Sequence, residues 1–458
     1  MKRKFLALCL VLSLLPGLGL WAFSAPEATA YTIGNPYAAV DWDTWQSYKA
    51  QLHAHTNGSD GFVPLDEMIE EHYRLGYDIL AITDHMMLGV PWNQIPRTVP
   101  MMRLVKYERT GLLPMTPLTD ARRDEILAGV GRGGRGMLEI TQGIELNGAV
   151  PTNSHLNGFF CDYGQGLIGV DGDFETPVKG VEAAGGVTFI NHIGLHTGSY
   201  KSEDPPHFYD DPQYANKFAS LFIQYPSCLG MGINSSDDDN TKWDRDLYDQ
   251  VLQKVIPYGS TPWAFAFSDA HDRGQFDYAF TVHVMPELTA AALRQSMESG
   301  AFFAASHFAS FEVGDDFRGE GELPAVQKIT VDEAAGVITL AAENYDAVTW
   351  VSNGKIIATG AALDLAAHDA QVGSYVRAYL TGPGGILYVQ PFTVLRPGQT
   401  LPKESVQKPV DLSVFLRFLA DTVGFLSPKY TPLWLFWQLL TQFDPALDAP
   451  WLYSLFHG

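Results

Sequence analysis

Between residues 51 and 310 one pattern recurs: a short apolar run ends in histidine or carboxylate, and a helical stretch or loop follows. DILAITDH (78–85) is a clear case, a buried strand with Asp84 and His85 at its carboxyl end. MLEITQGIELN, SHLNGFFCDY, GGVTFINHIG and WAFAFSDAH repeat the theme. LDEMIEEHYRLGY (65–77) puts Leu65, Met68, Ile69 and Tyr73 on one helical face, with acidic residues opposite. Apolar strands alternating with helices predict an α/β fold. In α/β barrels the carboxyl ends of the strands meet at one mouth, so the polar residues ending these runs are expected to converge on one site.

A lone histidine is usually a core or surface residue, and His72, His207, His283, His307, His368 and His457 are read that way. The remaining ones accompany carboxylates or stand beside apolar runs. His53 and His55 alternate, so on a strand both imidazoles point to one side and reach one ion. Asp269 and His271 have the same spacing, and Asp84 adjoins His85. Asp60 lies in a loop where a turn can swing its carboxylate back, and Glu145 ends a run where it can bridge two cations. His155 and His192 complete the set. Nitrogen with carboxylate oxygen suits Mn, Zn or Fe better than Ca or Mg.

Taken in order, these segments resemble the PHP (polymerase and histidinol phosphatase) family of metal-dependent phosphoesterases. That family's order is HxH, an SD loop, TDH, GxE, two isolated histidines and SDxH. Here it reads HAH (53–55), SDG (59–61), TDH (83–85), GIE (143–145), His155 in SHLNGFF, His192 in NHIG and SDAH (268–271). The resemblance implies a distorted (β/α)7 TIM-like barrel with two or three divalent ions (Mn, Zn or Fe) at its mouth. By the same resemblance, His53, His55, Glu145 and Asp269 would hold one ion. Glu145, His155 and His192 would hold a second, and Asp60, His85 and His271 a third.

Clustered cations lower the pKa of bound water, polarise a substrate oxygen and neutralise negative charge. The last point matters because the formal net charge is -22, which argues against a nucleic-acid partner or an anionic membrane surface. The expected reaction is metal-dependent hydrolysis of a small phosphate ester. Asp84, Asp269 or His192 would deliver the leaving-group proton, and Arg273 is either a phosphate clamp or a plain surface arginine. The same site suits amide or carbamate hydrolysis, and a secreted binding protein without activity is a third reading. No ligand position is lost, which points to an enzyme.

The flanks add a broader organisation. Residues 1–30 read as an export signal: a Lys2–Arg3–Lys4 start, an apolar run and an Ala28-Thr29-Ala30 exit. A secreted or periplasmic location follows, with the barrel spanning 31–315. Residues 322–396 alternate like strands, with turn signals at Asn353-Gly354 and Gly382 to Gly385, and are expected to form a small Ig-like β-sandwich. Residues 397–409 read as a linker and 410–458 as apolar helices able to touch an envelope or membrane surface. Inserts at 91–137 and 196–216 are candidates for a shaped lid. Gly129-x-Gly131-x-x-Gly134 precedes a strand rather than opening a helix, so it is a loop and no dinucleotide fingerprint. After export Cys161 and Cys228 remain, as one disulfide or as buried thiols.

Overall fold

The computed structural model describes residues 31–99, 113–147, 155–167, 174–194 and 212–396. The expected export signal, the linker and the apolar tail lie outside these residues, as do 100–112 of the first insert and 196–211 of the second.

Two sheets frame the site. Strand β2 (Gln46–Gln51) pairs in parallel with β3 (Ile79–Ala81), and β3 with β4 (Leu138–Ile140). On its other edge β2 runs antiparallel to β10 (Ala279–Met285), which pairs with β11 (Phe302–Ser306). The second sheet is β5 (Ile144–Asn147), β6 (His155–Phe159), β7 (Val187–Ile190), β8 (Cys228–Ser235) and β9 (Trp263–Phe267), in chain order. It is antiparallel across β5–β6–β7 and parallel across β7–β8–β9. Helices α1 (Leu65–Arg74), α2 (Asp120–Ala128), α3 (Glu175–Ala183), α4 (Pro212–Gln224), α5 (Asp244–Val255) and α6 (Ala290–Ser299) fall between strands. Helix α1 buries Leu65, Met68, Ile69 and Tyr73, the face its periodicity predicts, and His72 with them.

The α/β expectation therefore holds, but the strands do not form one closed barrel sheet. The two sheets meet through isolated parallel bridges, Ala54 with Ala270 and His85 with Glu145. Ladders lapse there because the backbone leaves the β region: Asp269 has φ 50° and Met86 has φ 56°. MLEITQGIELN, read as one run, is two strands in different sheets, β4 and β5. Gly143 makes the break, since a Cβ there would lie 3.2 Å from the Ile82 carbonyl oxygen and 3.3 Å from the Ala81 side chain. The Gly129–Gly136 loop joins α2 to β4, as its order in the chain requires. Cys161 and Cys228 are both buried free thiols.

The carboxyl-terminal strands extend this frame. Strands β12 (Ala325–Asp332), β13 (Val337–Glu343) and β16 (Ala362–Asp364) make a three-stranded sheet. Strands β14 (Ala347–Ser352), β15 (Lys355–Thr359), β17 (Tyr375–Gly382) and β18 (Gly385–Leu395) pair with one another, and β18 also pairs with β11. The β14–β15 turn is Asn353-Gly354, both with positive φ, which matches the right-handed strand twist. At the amino end β1 (Thr32–Gly34) adds to the β18 edge. Ile338, Leu363, Trp350 and Val376 share one hydrophobic cluster with Tyr37 and Phe303.

A buried ion pair fastens β17 to α5. Arg377 donates to both Asp249 oxygens, at 2.8 and 2.5 Å, and the Tyr375 hydroxyl donates to Asp249 at 2.6 Å. Removing one partner would leave a buried charge uncompensated. Asp249→Ala should lower unfolding stability by about 3–5 kcal/mol in denaturant titration, and a loss under 1 kcal/mol would contradict this account.

Two core histidines set an acid limit. Burial drives His72 down to about 4 and His283 to about 3. His283 lies between the hydroxyls of Thr281 (3.0 Å) and Ser296 (2.9 Å), with no carboxylate to hold a proton. Their folded values lie below the unfolded value near 6.5, so their neutral-state stability is complete above that pH and fades as pH falls toward 4. Each should steepen the loss by up to about 1.4 kcal/mol per pH unit. His283→Gln should flatten the slope of stability between pH 6.5 and 4, and an unchanged slope would refute the assignment.

Candidate metal centre

Most of the ligand-type side chains lie just past the ends of β2, β3, β7 and β9, while Glu145 and His155 stand within β5 and β6, and the two bridges hold the sheets together there. His55 N–H donates to the Ala270 carbonyl at 3.0 Å, and Thr83 N–H donates to the Ala54 carbonyl at 3.0 Å. Met86 N–H donates to the Glu145 carbonyl at 2.8 Å, and Asn191 N–H to the His155 carbonyl at 3.0 Å. Each backbone bond ties one ligand segment to another. Asp269 sits in the left-handed region, which costs a non-glycine residue roughly 1–3 kcal/mol when it clusters with function. The SDG loop after His55 needs its glycine, since a Cβ on Gly61 would lie 2.5 Å from the His55 carbonyl oxygen.

All nine expected ligand residues come together. His53 Nε2 lies 3.3 Å from Glu145 Oε1 and 3.1 Å from Asp269 Oδ1. His55 Nε2 lies 3.2 Å from both Glu145 Oε2 and Asp269 Oδ1. His155 Nδ1 and His192 Nε2 stand 3.3 and 3.4 Å from the same Glu145 Oε1. Asp60 Oδ2 is 3.3 Å from His271 Nε2 and 3.6 Å from His85 Nε2, while His85 Nδ1 is 3.0 Å from Glu145 Oε2. Four groups of three among the described residues can hold an ion: His53–His55–Asp269, His53–Glu145–His192, His55–Asp60–His85 and His85–Glu145–His155. The groups share members, so one compact cluster is built rather than separate pockets.

This donor set fits divalent metal. Glu145 is completely buried, with a side chain that faces five histidines and, among the described residues, no lysine or arginine. His55 Nε2, Glu145 Oε2 and Asp269 Oδ1 are buried and make no hydrogen bond, although they lie 3.2 Å apart in pairs. Burying such atoms unsatisfied costs about 1–3 kcal/mol each, which a shared cation would offset.

Protons balance the charge otherwise. Burial would lower His53, but Glu145 and Asp269 outweigh it and raise the imidazole to about 9. Burial likewise opposes His271, which Asp60 and Asp269 raise to about 10. Glu145 would rise through burial, yet His155, His85 and His53 hold it well below the usual carboxylate range. His155 is itself taken down to about 4 by burial against the pull of Glu145. A neutral His155 cannot supply that attraction, so we assign the lowering of Glu145 to His85 and His53.

Two expected residues are engaged elsewhere. Asp84 accepts from Thr56 N–H at 2.8 Å, Thr56 Oγ1 at 2.5 Å and Ser59 Oγ at 2.5 Å, so it braces the 56–60 loop. Arg273 is exposed and forks onto both oxygens of Glu67. Residues the sequence reading missed orient the ligands: Thr83 Oγ1 meets His53 Nδ1 at 2.9 Å, and Asn147 Oδ1 meets His85 Nδ1 at 3.2 Å. Asn157 and Asn191 lie deeper. Their signal was adjacency, because Thr83, Asn147, Asn157 and Asn191 each sit within two residues of a ligand.

No protein-family model matches the sequence, and no curated protein matches it. Solved structures similar to the chain include a two-domain protein from Bacteroides vulgatus containing a predicted PHP-like metal-dependent phosphoesterase. It is 16% identical over 77% of this chain and 88% of that one, with a TM-score of 0.38. The lesion-specific endonuclease EndoQ of Pyrococcus furiosus is 12% identical over 55% of this chain and 56% of its own, with a TM-score of 0.29. An amidohydrolase from Chromobacterium violaceum is 15% identical over 55% of this chain and 96% of its own, with a TM-score of 0.27.

A ligand bound only by the folded chain raises its stability, by about 2.7 kcal/mol at a hundred times Kd. Mn or Zn added to EDTA-stripped protein should therefore raise Tm. Glu145→Gln should abolish most of that rise, and an equal rise in both proteins would rule out Glu145 as the shared ligand.

Proposed function

We propose that this chain is an exported metal-dependent hydrolase of the PHP type, acting on small phosphate esters. The observation that carries the reading is the convergence of nine ligand-type side chains into one cluster, with Glu145 Oε2 and Asp269 Oδ1 buried and without a hydrogen bond. His53, His55, Asp60, His85, Glu145, His155, His192, Asp269 and His271 would hold two or three ions of Mn, Zn or Fe. Bound there, such ions supply Lewis acidity, an activated water and charge neutralisation.

The protein's own groups have distinct tasks. Thr83 and Asn147 aim His53 and His85, as outer partners of ligating imidazoles do. Asp84 keeps the Asp60 loop in place and is not available to the leaving group. Proton delivery falls to Asp269, whose Oδ2 lies 3.6 Å from His192 Nε2, because an imidazole nitrogen that ligates an ion has no proton to give. Arg273 is committed to Glu67, so phosphate charge is met by the ions rather than by a basic clamp. We place the two bridged sheets in the role of the (β/α)7 barrel, with residues 322–396 as an appended β-unit. Residues 410–458 remain our candidate for envelope contact, and the amino-terminal segment our candidate for export.

Phosphomonoesters, phosphodiesters and carbamates should be screened with metal-reconstituted protein. Phosphate-ester hydrolysis that disappears in His53→Ala is expected, with rate loss of at least about a hundredfold. Turnover of carbamates or amides alone would overturn the phosphoesterase assignment.

A further inference from the structure

Beneath the cluster, two asparagines with no charge of their own join four ligand segments. Asn191 Nδ2 donates to Glu145 Oε1 at 2.7 Å and to Asn157 Oδ1 at 3.0 Å, and lies at a longer 3.4 Å from His53 Nε2. Asn157 Nδ2 donates in turn to the Leu52 carbonyl at 2.9 Å. Both asparagines are completely buried. Leu52 adjoins His53, Asn157 lies two residues past His155, and Asn191 immediately precedes His192.

The direction of this chain is fixed from its far end. A backbone carbonyl only accepts, so Asn157 must turn its NH2 group toward Leu52 and its oxygen toward Asn191. Asn191 must then present NH2 to Asn157, and the same NH2 group serves Glu145. The opposite amide orientation would set oxygen against oxygen at both contacts. The arrangement has a cost, since Asn191 Oδ1 is buried with no hydrogen-bond partner. A leucine-like side chain would fill such a place without that penalty, roughly 1–3 kcal/mol. What the amide adds is a fixed donor on one oxygen of Glu145.

We infer that Asn191, oriented by Asn157, is a positioning residue that fixes Glu145 as the bridging carboxylate of the metal cluster. Its N–H holds Oε1 on the side of His53, His155 and His192, and thereby leaves Oε2 turned to His55 and His85. The inference rests on the metal-centre reading and assigns how its central ligand is held.

Calorimetric titration of the EDTA-stripped full chain with Mn2+ and Zn2+ tests it. Asn191→Ala should weaken binding by ~10- to 100-fold, the usual effect of losing a partner behind a ligand. The same substitution in a Glu145→Gln background should have little further effect, because its action runs through Glu145. Asn157→Ala, one bond further away, should give a smaller loss with the same non-additivity, and it serves if Asn191→Ala does not fold. Wild-type affinity in both single variants would overturn the inference while leaving the metal centre intact. A full, additive loss in the Glu145→Gln background would also overturn it, as a general structural effect. A wild-type chain that binds neither metal would instead remove the metal reading itself.

Discussion

Crowding of three carboxylates, with Glu145 at their centre, and six imidazoles is the constraint on which the rest of the site depends. Asp60, Glu145 and Asp269 stand within a few ångströms of one another's partners, and no lysine or arginine is paired with them among the described residues. Carboxylates in a low-dielectric interior need positive charge. Either protonated histidines or bound cations can supply it, and the histidine values near 9 and 10 for His53 and His271 record that demand. Cations answer it while also using the nitrogen lone pairs, which protons would block.

The backbone is organised to tolerate this density. Strands β2, β3, β7 and β9 stop before their ligand-type residues begin, Glu145 and His155 sit within the paired β5 and β6, and single bridges at Ala54–Ala270 and His85–Glu145 replace continuous ladders between the sheets. A continuous ladder would alternate side chains across the sheet and send every second one away from the mouth. Leaving the β region at Met86 and Asp269 frees consecutive segments to aim inward. The same departure that prevents one closed sheet thus builds the cluster. Away from the site the ladders are continuous: β18 joins β17 to β11, and the Arg377–Asp249 pair ties β17 to α5.

Much of this was legible in the residues. Alternating His53 and His55 gave a shared orientation, and the TDH, GIE and SDAH endings gave the other ligand segments, because ligand chemistry restricts residue type and spacing at once. Helix α1 followed from its 3.6-residue periodicity. Strands β8, β10 and β11 were not singled out, since none of these runs ends in a histidine–carboxylate motif and apolar runs look alike in sequence. The break inside MLEITQGIELN was also missed, because it depends on how closely Gly143 packs against β3.

The sequence by itself determined the ligand types, their order and the charge problem they create. These are local properties: each motif carries its chemistry within a few residues. Only the tertiary structure decided which groups share Glu145, and that Asp84 braces a loop while Arg273 answers Glu67. It also decided the amide chain from Leu52 through Asn157 and Asn191 to Glu145. Those choices join residues more than a hundred positions apart in places, and a hydrogen bond selects its partner by distance and angle, which no linear spacing encodes.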